Sequence, residues 1–191
     1  WKRCQKLVDS GEVDVNICAF RNAEREATSV IVEPRMGQNS IAVFVRQRRQ
    51  DTFRFSTWAD LKGLRTGLIA GVSMGPEFDS FLQDNTTVER APTLLSVFKM
   101  LDLDRVDIAP FGLEAGRLAV EYHGFKGRIV PLPQPALLGD LHLIVSKKSP
   151  LAARAAEIGK YFERAGYQEE LRAALDESGR LYLQTTPQGG R

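Results

Sequence analysis

The sequence has few of the residues from which metal centres and catalytic groups are built. It contains two cysteines and two histidines among 191 residues, and none of them has metal-ligand spacing. His123 is expected at the end of a helix, where an imidazole caps carbonyl groups, and His142 lies within an apolar strand. No serine, cysteine or lysine stands with a base in a known motif, and no phosphate-loop or dinucleotide fingerprint occurs. We therefore predict a non-enzyme that uses no metal and no cofactor.

The sequence also lacks long apolar runs and a strong excess of either charge. No run approaches the roughly 18 apolar residues that a membrane span needs, and no signal peptide is visible. The formal net charge of +2 gives no electrostatic case for nucleic acid. The chain starts at Trp1 and enters a helical pattern at once, so we expect that an upstream segment has been removed or is not included.

The two cysteines leave two alternatives open. Cys4 falls in the first predicted helix and Cys18 in the strand that follows it. A helix and the next strand pack together in an α/β unit, so the two side chains could form a disulfide. Such a bridge would stabilise the fold by about 3 kcal/mol. The other alternative is a pair of buried free thiols.

The rest of the chain is organised around residues 60–82, DLKGLRTGLIAGVSMGPEFDSFL. Leu68, Ile69 and Ala70 form an apolar run of strand length that ends at Gly71. Pro76 then suits the first position of a helix. The five residues between strand and helix, 71–75, should present free N–H groups and the Ser73 hydroxyl. A carboxylate or phosphate could bind there, although an ordinary turn capped by Ser73 fits the same residues.

Strand and helix patterns alternate through the second part of the chain. Strands are expected at RTGLIA, TVERA, VDIAP, RIVPL and LHLIVS, with helices after Pro76, from Thr93 and at EAGRLAVEYHG. This alternation predicts an α/β fold with parallel sheets flanked by helices. Residues 47–54 show no apolar periodicity, and the prolines at 131, 133 and 135 predict a stiff connector. The tail TTPQGGR has turn and disorder composition.

Residues 60–82 resemble the second lobe of bacterial extracellular solute-binding proteins of the polar amino-acid family, the type II periplasmic binding proteins of ABC importers. The resemblance continues upstream in VDVNICAFRNAER and downstream in DRVDIAPFGLEAG and SKKSPLAARAAEIGKYFER. It covers most of the chain in the right order. The resemblance implies two lobes, each a mainly parallel sheet flanked by helices. Residues 1–46 and 137–191 would form the first lobe and residues 47–136 the second. The family's first strand-helix-strand unit is absent, so the first lobe should be incomplete.

The resemblance also implies where a ligand would bind, at the carboxyl ends of strands between the lobes. Gly71, Val72, Ser73 and Met74 would hold a ligand carboxylate through the Ser73 hydroxyl and nearby N–H groups. Arg25 would form a bidentate pair with the same carboxylate, and it could equally be a surface or structural arginine.

The amine half of the family's site is not matched. Family members carry an aspartate for the ligand's ammonium five positions beyond Asp107, where this chain has Gly112. Glu114 fits better as a first-turn carboxylate on the helix dipole. The ligand could therefore be an amino acid or a carboxylate without an α-amine.

The resemblance implies binding without catalysis. A monomer in the periplasm or outside the cell would close on a small polar solute and dock on the membrane permease of an ABC importer, without nucleic acid. A sensor or effector-binding module with the same fold is the alternative. A transcription regulator's effector domain shares this fold class, and an upstream helix-turn-helix would identify it.

Overall fold

The computed structural model describes residues 2–185. The chain divides into two compact units, each discontinuous in sequence. Unit 1 consists of Trp1–Asn39 with Gly139–Ser178, and unit 2 of Ser40–Leu138 with Gly179–Arg191. The last six residues, 186–191, for which we predicted disorder, lie outside the described residues. The proposed lobe boundaries remain predictions.

The strands of unit 1 are antiparallel to a long returning strand, β7 (Ile129–Ser146). Strand β1 (Val15–Phe20) pairs with β7 from Val145 to Leu141. The short β2 (Ser29–Ile31) pairs with residues 144–146 of β7. The predicted parallel pairing is wrong for these ladders. Strand β7 runs in the opposite direction to β1 and β2 and forms hydrogen bonds with both of them.

Four helices belong wholly or partly to unit 1: α1 (Lys2–Ser10), α2 (Ala23–Thr28), α6 (Ala155–Glu163) and α7 (Tyr167–Thr185). The short helix α2 directly follows Asn22. It forms because the Asn22 side chain accepts a hydrogen bond from the Arg25 N–H at 2.8 Å and so caps the first turn. Two small cores bury this unit's apolar residues: Val8, Ala19 and Ile144 in one, and Val32, Val145 and Ala155 in the other.

Unit 2 contains the parallel pairing that the sequence predicts. Strand β4 (Arg65–Ile69) pairs in parallel with β5 (Thr87–Ala91) over five residues. A parallel bridge joins Thr66 to Ile108, just before β6 (Ala109–Gly112). Strand β3 (Gly37–Arg46) pairs antiparallel with β6 and also neighbours β7. This unit is thus a mixed sheet whose central strands run in one direction.

The helices of unit 2 follow the predicted order: α3 (Pro76–Asn85), α4 (Leu94–Asp102) and α5 (Leu113–Tyr122). Thr93 caps α4, as predicted, by accepting a hydrogen bond from the Ser96 N–H at 3.1 Å. Helix α4 buries Val97, Phe98 and Leu101. Phe44 and Phe98 pack with ring centroids 5.4 Å apart in a core that also takes in Phe125 and Ile129.

An ion pair fixes the alignment of β4 with the segment before β6. The Asp107 carboxylate accepts hydrogen bonds from the Arg65 main-chain N–H at 2.9 Å, its Nε at 3.1 Å and its Nη2 at 3.0 Å. Arg49 adds a further bond at 3.0 Å. The Asp107 side chain is only 17% exposed, whereas the Arg65 side chain is 43% exposed. The Arg65 side chain, followed by its main-chain N–H and charge, lowers the pKa of Asp107 to about 2.

The three prolines at 131, 133 and 135 lie within β7 and do not interrupt it, so the stiff connector predicted there takes the form of a strand. Because alternate residues of a strand direct their N–H groups to the same edge, all three missing donors fall on one edge. The intervening residues keep their donors on the other edge. The ladders of β7 with β1 and β2 begin only at Leu141. Prolines at every second position are therefore compatible with a strand that forms hydrogen bonds along its other edge.

The two cysteines are free, and both are exposed. Neither predicted alternative, a disulfide or a pair of buried thiols, describes this arrangement. Cys18 lies where the β1 register shifts between Asn16 and Ala19, with φ of 61°. The extra residue in β1 turns the Cys18 and Ile17 side chains to solvent.

We expect Gly159→Ala to destabilise the protein, although alanine is the better helix former by up to about 1 kcal/mol. A Cβ at this position in α6 would lie 1.9 Å from the carbonyl oxygen of Glu33, which is backbone and cannot move aside cheaply. Overpacking of this kind costs about 1–3 kcal/mol. Urea unfolding measures the loss.

Gly179→Ala is the matched control in α7. Its added Cβ would meet the end of the flexible Leu118 side chain at 3.2 Å, so we expect a change within about 1 kcal/mol. If Gly159→Ala were as stable as the wild type, the close approach of α6 to Glu33 would be contradicted.

We expect Asp107→Asn to destabilise the protein in a pH-dependent way. The pKa of Asp107 is about 2 in the folded state against an ordinary 3.8. The ionised Asp107 carboxylate therefore contributes its full stabilisation of the folded protein above pH 3.8, and this contribution is lost as the pH falls towards 2. Wild type and variant should differ by about 2 kcal/mol near neutral pH and converge at the acid end. The exposed Asp51, changed to Asn, controls for loss of one carboxylate, and a constant difference for Asp107→Asn would contradict the assignment.

Candidate functional site

The loop at residues 71–75 links the carboxyl end of β4 to the first turn of α3. Gly71 has φ of 77° and Gly75 has φ of 120°, a region that side chains with a Cβ rarely adopt. Pro76 occupies the first turn of α3, as predicted, and Gly75 is the residue before the helix. The shape of the loop thus depends on both glycines.

A carboxylate of the chain itself occupies part of this loop. The Ser73 hydroxyl donates a hydrogen bond to Oδ2 of Asp79, and the Met74 N–H donates to Oδ1 at 3.1 Å. Ser73 Oγ also accepts a hydrogen bond from the Gly75 N–H at 3.2 Å. Both donors of the loop that face Asp79 are therefore already binding an anion.

Other donors of the loop are not engaged in this way. Within residues 2–185, the N–H groups of Gly71 and Ser73 make no hydrogen bond, whereas the Val72 N–H donates to the Ile69 carbonyl at 3.3 Å. The Met74 side chain is buried in the core of unit 2, and the Val72 side chain is 39% exposed. The Met74 side chain thus holds the loop to the core, whereas the N–H groups of Gly71 and Ser73 stay available to a ligand.

The structure places Gly112 at the same edge of unit 2 as this loop. The parallel bridge between Thr66 and Ile108 sets β4 and β6 in one direction, so their carboxyl ends meet at one edge of the sheet. Gly112 ends β6 and precedes α5, with φ of −54°. It offers no side chain to a ligand's ammonium group.

Glu114 occupies the first turn of α5 and pairs with Arg117 at 3.5 Å on the surface. This is the helix-terminal position expected for it from the sequence. It does not replace the aspartate that the resembled family carries at the position of Gly112.

Arg25 belongs to unit 1, and its guanidinium is engaged by neighbouring residues. Nη1 donates to the Phe20 carbonyl and Nε to the Gln5 side chain at 3.1 Å. Burial lowers the pKa of Arg25, against the raising effect of Glu24 and Asp9. These bonds fit the structural alternative, and its part in ligand binding remains a prediction.

Neither histidine lies in a metal-binding group. Among residues 2–185, no set of three or more His, Cys, Asp or Glu side chains could hold a metal ion. His123 directly follows α5 and bonds through its N–H to the Ala119 carbonyl. Burial, and then the charge of Lys99, lowers the pKa of His123. His142 is buried in β7 and bonds to the Val32 carbonyl. No described helix is long and apolar enough to span a membrane.

Sequence reasoning identified the loop but missed Asp79. Of the two acidic residues in the first turn of α3, Glu77 and Asp79, it is Asp79 that reaches back to Ser73 and Met74. An aspartate in the first turn, after a serine that precedes the helix, is the signal that could have indicated this contact.

No protein-family model and no curated protein sequence matches the chain. Solved structures do match it. The GluR0 ligand-binding core complexed with L-glutamate superposes with a TM-score of 0.73 at 14% identity, over 93% of this chain and 76% of the other. A histidine kinase sensor domain with similarity to periplasmic binding proteins gives 0.71 at 19% identity, over 92% and 75%.

The substrate-binding protein AbpA of an amino-acid ABC transporter from Streptococcus pneumoniae, bound to L-arginine, also gives 0.71, at 15% identity over 92% and 71%. The chain has a periplasmic-binding-protein fold. This fold explains why an α/β chain divides into two discontinuous units. It also accounts for the position of residues 71–75 at a strand end, where proteins of open α/β architecture bind ligands.

Proposed function

We propose that the chain is the extracytoplasmic solute-binding component of an ABC transporter and binds a small polar solute that carries a carboxylate. Binding shifts the protein towards a closed form by the solute's differential affinity for that form. The protein carries out no catalysis, and the closed form docks on a membrane permease. The solute is held in the cleft between two lobes.

The loop at residues 71–75 is the observation that carries this proposal. It lies at a strand end and at the start of a ten-residue helix, and the N–H groups of Gly71 and Ser73 have no partner within residues 2–185. Backbone donors at a helix N-terminus suit a carboxylate. The bound Asp79 carboxylate supports the same assignment, because it shows that the Ser73 hydroxyl and Met74 N–H can hold such a group.

The solute carboxylate binds beside Asp79 or replaces it at these donors. Gly112 supplies no anion for an ammonium group, so the ligand class is a small carboxylate, with an amino acid as one member. The structural neighbours bound to L-glutamate and L-arginine favour this class.

A sensor or effector-binding module is the second candidate. It is favoured by two neighbours, the histidine kinase sensor domain and the periplasmic VFT2 domain of BvgS. The transporter component and the sensor domain would both lie outside the cytoplasm, and all of these candidates share the same binding step, which the next two experiments test.

Ser73→Ala should weaken binding of the solute carboxylate. The substitution removes one hydroxyl and keeps the backbone donors, so it should cost about 1.5–3 kcal/mol, the value of a hydrogen bond to a charged group. That is roughly a 10- to 100-fold rise in Kd. Calorimetry against amino acids and their deaminated acids identifies the ligand first and then compares the two proteins. An unchanged Kd would mean that the loop is only a structural turn.

Asp79→Asn should strengthen binding of the same ligand. The substitution removes a negative charge from the loop that the solute's carboxylate must enter, and Coulomb repulsion falls accordingly. We expect Kd to fall roughly tenfold, which is about 1.4 kcal/mol. Glu77→Gln is the matched control, since it removes a charge from the same helical turn without touching the loop in the described structure.

If Asp79→Asn and Glu77→Gln lowered Kd equally, the cause would be a general charge effect and not competition at the loop. Weaker binding by Asp79→Asn would mean that Asp79 holds the loop in its binding shape instead of competing with the solute.

A further inference from the structure

A cavity of about 360 Å³ lies in unit 1 and is lined by residues of that unit alone. Its walls come from the segment after β2, from β7 and from helices α6 and α7. The lining residues are Glu33, Pro34, Arg35, Asp140, His142, Phe162 and Gln168. Its volume falls at the lower end of the range for small-molecule sites. The proposed carboxylate site uses none of these residues.

His142 is the buried polar group of this cavity, with 5% of its surface exposed. Its Nδ1 lies 3.1 Å from the Val32 carbonyl oxygen. A carbonyl can only accept, so Nδ1 carries the hydrogen and Nε2 of the neutral ring is an acceptor. Within residues 2–185, Nε2 makes no hydrogen bond. Nε2 is not one of the buried, unpaired side-chain atoms of residues 2–185, so the ring offers the cavity one accessible acceptor that the protein does not use.

Two carboxylates line the same cavity. Oδ1 of Asp140 accepts a hydrogen bond from Gln38 at 2.9 Å and lies 3.2 Å from the Arg35 guanidinium. The Gln38 bond and then the charge of Arg35 lower the pKa of Asp140, although burial opposes them. Glu33 pairs with Arg21 at 3.0 Å, and its other oxygen lies 3.7 Å from Nδ1 of His142. Each carboxylate can accept further hydrogen bonds.

Acceptors outnumber free donors in the cavity. Arg35 is the one basic side chain of the lining, and Asp140 already pairs with it. The amide nitrogen of Gln168 donates to the Met36 carbonyl at 3.4 Å, which leaves its oxygen as an acceptor. With two carboxylates and one guanidinium, the lining has a formal charge of −1. A donor-rich, positively charged ligand therefore fits these walls.

The apolar part of the lining indicates what the uncharged part of the ligand should be. Phe162 of α6 lines the cavity, and aromatic rings attract organic cations. The backbone at Glu33 is held by the close approach of Gly159 in α6. A rigid wall with one aromatic ring favours a ligand with a short alkyl part next to its charged head.

We propose that this cavity binds a small organic cation, an alkylammonium or alkylguanidinium compound, whose N–H groups donate to Nε2 of His142, Asp140 and Glu33. A metal ion is the less suitable occupant, because the described residues contain no group placed to hold one. The site is separate from the proposed carboxylate site, and the two proposals can fail independently.

The test uses the 191-residue protein labelled with ¹⁵N at histidine and titrated with n-butylammonium or agmatine. Long-range ¹H–¹⁵N spectra follow the ring nitrogens of the two histidines. We expect a saturable shift of the His142 Nε2 signal, while His123 serves as the internal reference and stays unchanged. Neutral n-butanol, of the same length, should produce no shift. Neither amine carries a carboxylate, so Ser73→Ala should leave their binding unchanged.

Asp140→Asn and Glu33→Gln each remove one surface-accessible carboxylate and leave His142 in place. We expect each to weaken n-butylammonium binding roughly 10- to 100-fold, as loss of a charged hydrogen-bond partner does. Glu24→Gln, at an exposed position of unit 1 outside the cavity, is the matched control and should bind as the wild type does.

Three results would overturn the proposal. In the first, neither amine shifts the Nε2 signal at millimolar concentrations. In the second, n-butanol binds as tightly as n-butylammonium, which makes the cavity merely apolar. In the third, Zn²⁺ alone perturbs the His142 signal and the amines do not, which makes it a metal site.

Discussion

The ion pair between Arg65 and Asp107 is the interaction on which the geometry of the candidate site depends. It ties the first residue of β4 to the segment before β6 through both the side chain and the main-chain N–H of Arg65. The register that follows, Thr66 opposite Ile108, brings the loop after β4 and the end of β6 to one edge. A slip by one residue would move both strand ends and reverse the faces of their side chains.

Local patterns were enough to predict much of this fold. The apolar runs, Pro76 and Thr93 indicated the order of strands and helices, because each acts through its nearest neighbours in sequence. The direction of the ladders in unit 1 could not be read in this way. It depends on β7, a strand more than a hundred residues away from β1 in sequence, and no local signal states which way a distant strand returns.

The candidate site, like the fold, could be predicted from the sequence only in part. Gly71, Ser73 and Gly75 indicated an anion-binding loop, because glycine and serine in that order leave donors at a helix start. The sequence did not indicate that Asp79 would occupy two of those donors, since its reach depends on the turn that Gly75 makes at φ of 120°. Likewise, the spacing around Arg25 could not reveal that Asn22 would cap a helix and direct the guanidinium towards Phe20.

The three prolines of β7 have a consequence for the protein's behaviour in concentrated solution. A strand edge that presents a regular row of N–H groups can recruit the strand of another molecule and begin a fibril. Between residues 131 and 135, β7 cannot supply that row on its proline-bearing edge. The same spacing that leaves the strand intact therefore also protects this edge against self-association. It does so without charged side chains, which are another way of protecting a strand edge.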